Sequence, residues 1–221
     1  MKMLKVFTLL MALCLSTTVV MAQNTKKEKA KQAKAELKEK ASKAARKEAK
    51  RLTKEGWRVA AGALPLEKQL DRSFQFELDV DDDMNPAYVQ GQGRSTASSY
   101  DAARLQATEL ARQQLISKIS SETTAMVDNL VANKQLEADQ AATITTTMSE
   151  GKTIFSQKLG RVLTVLEIER EIANKNKEVE VRVFTKQSEV EKIARDAIRE
   201  TLEQKGMQMS EELKDIMSKK K

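Results

Sequence analysis

The chain has 221 residues, 40% of them hydrophobic and 32% charged, with a formal net charge of +7; that is enough for one modest domain with appendages and a folded core. It has no histidine, and its single cysteine, Cys14, lies in a stretch expected to be removed or lipidated. A disulfide, a Cys/His zinc site and a Cys-His or Ser-His catalytic pair are therefore excluded from the mature chain.

Met1 to Ala22 has the three parts of an export signal. Lys2 and Lys5 form the cationic start, Val6 to Leu15 the apolar stretch, and Val20-Met21-Ala22 a cleavage motif before Gln23. The apolar run is too short for the roughly 20 residues of a membrane span. Acylation at Cys14 is the weaker alternative, because Leu13 stands where lipoprotein signals carry a small residue. A soluble or peripherally attached envelope protein is expected.

Residues 23–56 form a basic arm. Between Asn24 and Lys54 there are 13 Lys/Arg against four Glu, so the positive charge sits here and the remainder is mildly acidic. Strong helix formers without Gly or Pro predict an exposed helix with a thin alanine stripe, ended by Gly56. Two readings stand: a solvated helical spacer, or a surface-binding arm. In the second, Lys26, Lys27, Lys29, Lys31, Lys34, Lys43, Arg46, Lys47, Lys50 and Arg51 would meet anionic membrane or cell-wall material. Nucleic acid is not expected as a partner, since no aromatic interleaves these cations to stack on bases.

Residues 57–204 read as the folded domain. Trp57 is expected to anchor a linker onto it, and Leu66 to Leu70 to make one helical turn. Phe74, Phe76, Leu78 and Val80 alternate with polar residues, which predicts a strand; Asp81 to Pro86 would turn it back into Tyr88-Val89-Gln90 as a hairpin. The acids at 79, 81 and 83 suggest calcium, but Met84 and Gln90 stand where an EF-hand needs glycine and glutamate, so a solvated turn is expected. Gly91-Gln92-Gly93 lacks the third glycine of a dinucleotide fingerprint. Glycines relieving crowding between a strand and a helix account for it better.

A helix is predicted from Ser98 to about Asn133, opened by a Ser98/Asp101 capping box and loosened at Thr123 and Thr124. A second helix runs from Glu137 towards Leu159, with a break in Thr143–Thr147. Leu166, Ile168 and Ile172, the turn Asn174-Lys175-Asn176, and Val179, Val181 and Val183 make the clearest hairpin. Ser188 and Glu191 are expected to open a last helix, and residues 205–221 to form a helical tail. The expected fold is α+β: an antiparallel sheet of two hairpins in ββααββα order, helices on one face, preceded by the long basic helix.

Tyr88 to Gly93, followed by Ala102-Ala103-Arg104-Leu105-Gln106-Ala107 and Ala111, resembles the LPP-twenty family of bacterial outer-membrane lipoproteins and is similar to the N-terminal domain of the flagellar protein FlgT. The strand Glu178 to Val183 fits the charged hairpin of that pattern. The resemblance implies an envelope accessory role with no catalytic residues, in the periplasm or at the outer-membrane periphery of a Gram-negative bacterium. A non-enzymatic envelope protein that binds another protein or itself is therefore expected, without cofactor or metal. The alternatives are a carboxylate-based hydrolase using Glu77, Asp79, Asp81, Asp82 and Asp83, and an oligomeric scaffold or chaperone-like protein.

Overall fold

The computed structural model describes residues 32–150 and 152–218. The leader, Cys14, the Ala22/Gln23 junction and Lys26, Lys27, Lys29 and Lys31 lie outside them. Helix α1 covers 32–54 of the described chain. It ends at Gly56, whose φ of 83° suits a left-handed cap. Trp57 N–H donates to Leu52 O (3.0 Å) and Gly56 N–H to Thr53 O (3.1 Å), the two reversed bonds of a Schellman stop. That stop throws Trp57 back against Leu52 in one buried cluster.

Helix α2 (Leu66–Leu78) overturns the first predicted hairpin. Leu66, Leu70 and Phe74 recur every four residues and pack together on one side. Phe76 instead leaves the helix on another side, stacking on Tyr88 at 4.4 Å between centroids and meeting Phe184 edge-on at 5.5 Å. The apparent period of two is a helix end serving two neighbours. The chain then turns through an aspartate-centred loop. Asp81 Oδ1 accepts the N–H groups of Asp83 and Asn85, both at 2.9 Å, an Asx-type turn.

Strands β1 (Tyr88–Ala97), β2 (Leu163–Glu171) and β3 (Lys177–Lys186) form one antiparallel sheet in the order β1-β3-β2. β1 pairs with β3 from Tyr88↔Lys186 to Ala97↔Lys177. The predicted second hairpin is present as β2 and β3, with an irregularity between Thr164 and Leu166. Among the described residues one hairpin of adjacent strands is present, and β1 reaches its place beside β3 by a long crossover.

That crossover begins with α3 (Tyr100–Ala132), 33 residues long and hence about 50 Å. Its cap is Ser99, whose side chain accepts from Ala102 N–H, one residue beyond the expected Ser98. Thr123 does not loosen it: its buried hydroxyl donates to Ile119 O at 2.7 Å. Helices α4 (Ala138–Glu150) and α5 (Lys152–Lys158) follow, and Thr143–Thr147 lies inside α4 without a break. Helix α6 (Gln187–Gln204) begins directly after β3 with no side-chain cap, so the Ser188/Glu191 box is not formed. Helix α7 (Glu211–Ser218) buries Leu213 and Met217 in the main core.

Helices cover both faces of the sheet, not one. Val179, Val181 and Val183 of β3 join Ala103, Ala107, Ala111 and Leu115 of α3 and the inner residues of α4 to α7 in the larger core. On the opposite face Leu166 and Ile168 of β2 join Ala45, Ala49 and Leu52 of α1, Trp57 and Leu70. The basic helix is thus a packed layer of the fold. Alanine lets it lie close to the sheet, so a stripe too thin to hold a projecting helix seats this one.

Candidate functional site

The docking of α1 decides where its cations go. Ala41, Ala45, Ala49 and Leu52 are buried, while Lys40, Lys43, Lys47, Lys50 and Lys54 are exposed. At 100° per residue these lysines centre on the side directly opposite the buried stripe. Their alternating three- and four-residue steps draw one ridge about 21 Å long. Lys40 and Lys54 were absent from the sequence-derived arm set. The spacing that finds them becomes meaningful only once the buried side of the helix is known.

The other arm residues divide by partner. Lys34 reaches Asp82 (3.2 Å) and Arg46 approaches Glu67 (3.9 Å), both tying α1 to α2 and the turn after it. Arg51 binds Glu48 in its own helix and Glu55 just past its end, each at 2.5 Å. Its hydrogen bond holds the Glu48 carboxyl below the usual range. Lys43 pairs with Glu39 at 2.7 Å and lowers that carboxyl in the same way. These exposed pairs contribute little to stability, and the ridge remains strongly cationic.

Beneath α1 lies an ionic layer. Glu178, Glu180 and Arg182 alternate with the three core valines and therefore point towards α1 and Trp57. Glu180, 1% exposed, accepts from Arg182 (3.0 Å) and from the guanidinium of Arg94 on β1. Arg170 of β2 binds Glu178 at 2.6 Å. The guanidiniums of Arg94 and Arg170 lie over the Trp57 ring, 5.2 and 4.7 Å from its centroid. Each buried charge has an opposite partner, which is what makes its burial tolerable.

Both sheet edges are plugged. On β2, Arg58 exchanges two 2.8 Å backbone bonds with Glu169, and Gln69 Oε1 accepts Glu167 N–H at 2.9 Å. On β1, Gln114 Oε1 accepts Gln92 N–H, and Lys118 Nζ donates to Gln90 O at 2.7 Å. Occupying these groups blunts strand addition at the edge.

On the larger-core face, Glu167 accepts from the Tyr100 hydroxyl and from Arg104 at 2.9 Å. Burial, then the hydrogen bond to Glu167, pushes the Tyr100 phenol up to about 12. Its unfolded value is about 10. Below that value both states hold the proton and the contribution is complete. Between about 10 and 12 only the unfolded state ionises, so stability falls as pH rises. Tyr100→Phe is expected to flatten this part of the stability curve, measured as the urea midpoint against pH relative to the parent chain.

Of the acids suggested for hydrolysis, Glu77 and Asp81 line one open cleft beside Glu122 and Glu191, and Asp79 and Asp81 line a second. Asp81 is committed to its turn, and Asp79, Asp82 and Asp83 are exposed. Among the described residues no group of three or more acids or cysteines is placed to hold a metal ion. Among the same residues no helix is long and apolar enough to cross a membrane. Comparison with protein families, with curated proteins and with solved structures finds no match.

Proposed function

We propose that this is a non-enzymatic, exported cell-envelope protein, an accessory or binding module held near an anionic surface by helix α1. The observation that carries the reading is the lysine ridge, Lys40 to Lys54, set opposite the buried face of a docked helix. A ridge on a packed helix presents its charges in a fixed row, so little ordering entropy is lost on meeting a flat anionic surface. The export-signal pattern of residues 1–22 and the LPP-twenty resemblance of the β1–α3 unit support the same setting. The acidic turn supports a non-catalytic reading, because Asp81 spends its carboxylate on backbone N–H groups.

Each lysine near an anionic bilayer contributes about 1 kcal/mol at low salt. Sedimentation with phosphatidylglycerol-containing vesicles should therefore show binding that weakens as salt rises. Replacing Lys40, Lys47 and Lys54 together by Glu should weaken it by about a hundredfold or more, since three lost contacts at that value amount to about 3 kcal/mol. The unfolding free energy from urea denaturation should stay within about 0.5 kcal/mol of the parent, because all three side chains are exposed. Vesicle binding unchanged by this reversal would refute the reading.

A further inference from the structure

Where α1 overhangs the end of α2, its inward stripe is only partly covered by the described residues. Ala41, Ala45 and Ala49 are buried, whereas Leu37, one turn earlier on the same side, is only half-buried. It faces Phe76, Leu78 and Val80 across a cleft of about 480 Å³, within the roughly 300–1,000 Å³ of small-molecule sites. Lys34 and Lys38, one helical turn apart, also line the cleft. Asp79, the acid in this lining, accepts Val80 N–H at 3.1 Å. Lys34 is held by Asp82, whose side chain is fully exposed at 3.2 Å, a pair weak enough for another anion to displace.

We propose that this cleft binds a monoacyl anionic amphiphile, a fatty-acid anion, with its chain against Leu37, Phe76, Leu78 and Val80 and its carboxylate at Lys34 and Lys38. The cleft supplies an apolar wall on two elements and a cationic pair on one. A neutral alkyl chain satisfies only the first and an acidic peptide only the second. This inference is independent of the lysine ridge, which lies on the outer side of α1.

The test is titration of the full chain with dodecanoate below its micelle concentration, followed by calorimetry, with dodecyltrimethylammonium as the charge-reversed probe. One saturable dodecanoate per chain is expected, with the cationic probe at least tenfold weaker. Leu37→Arg should abolish uptake by placing a charged side chain in the apolar wall. Lys34→Glu with Lys38→Glu, both at the surface end of the cleft, should weaken uptake tenfold or more, which keeps the test decisive if Leu37→Arg disturbs folding. The Lys40/Lys47/Lys54 reversal should leave uptake unchanged even where vesicle binding is lost. Absence of saturable uptake, uptake indifferent to the Lys34/Lys38 reversal, or equal uptake of the cationic probe would each overturn the proposal.

Discussion

Replacing Gly93 by alanine is expected to cost about 3 kcal/mol or more, the upper end of what overpacking does in a core. A Cβ on Gly93 would stand 2.0 Å from Ala107 O and 2.6 Å from Ala111 N. Both are backbone atoms of α3, so no rotamer change relieves the clash. The helix itself would have to lift from the sheet, taking Ala103, Ala107 and Ala111 away from the valines of β3. Gly91 meets the same helix one turn on, with Ala111 O at 2.1 Å and Leu115 Cγ at 3.0 Å from the added atom. The two replacements together should leave little of the typical 5–15 kcal/mol of a domain's stability. Gly160 is the control, since a Cβ there meets nothing within 4 Å, and Gly160→Ala should stay within about 0.5 kcal/mol of the parent. Urea denaturation followed by far-ultraviolet circular dichroism reads all three. A Gly93→Ala midpoint equal to that of Gly160→Ala would mean that α3 does not lie on β1.

This crossing was legible in the sequence because it uses two signals at once. Glycines two apart in a strand share one face, and alanines four apart in a helix share another, so Gly91 and Gly93 find Ala107 and Ala111. The β2–β3 hairpin was legible for a similar reason, a period of two on both sides of an Asn-rich turn. Other elements hid behind the same rules. Phe74, Phe76, Leu78 and Val80 satisfy strand alternation, yet the four-residue spacing from Leu66 through Leu70 to Phe74 governs the packing. The stripe Ala41-Ala45-Ala49 is too small to announce a core contact by hydrophobicity, so α1 read as an appendage although it closes the second face of the sheet. Its lysine ridge was visible only as composition. Which lysines share a face follows from which alanines are buried, and that depends on Trp57, Leu70, Leu166 and Ile168, far away in the chain.

The second large effect concerns the ionic layer under α1, where β3 alternates valine and charge. Glu180→Ala is expected to destabilise by about 3 kcal/mol, the lower end for breaking a buried ion pair by removing one partner. The Arg182 side chain is only 13% exposed and would be left without its carboxylate. Arg94 loses the same partner, but its side chain is 48% exposed and water can take over. Arg94→Ala should therefore cost less, about 1 kcal/mol, counting the lost cation–π contact with Trp57. Replacing Glu180 and Arg182 together by leucine removes both desolvation penalties, and stability should return to within about 1 kcal/mol of the parent. The double-mutant cycle separates this from simple packing loss, because packing alone would make the two single costs add. Glu180 opposes Arg94 on one side and Ile168 on the other, so a one-residue slip of β3 would send valines into the ionic layer and charges into the α3 core. If Glu180→Ala cost less than about 0.5 kcal/mol, the carboxylate would have to be solvated and α1 could not be seated over it. The lysine ridge would then lose the platform that orders it, and the surface-binding reading would fall with it.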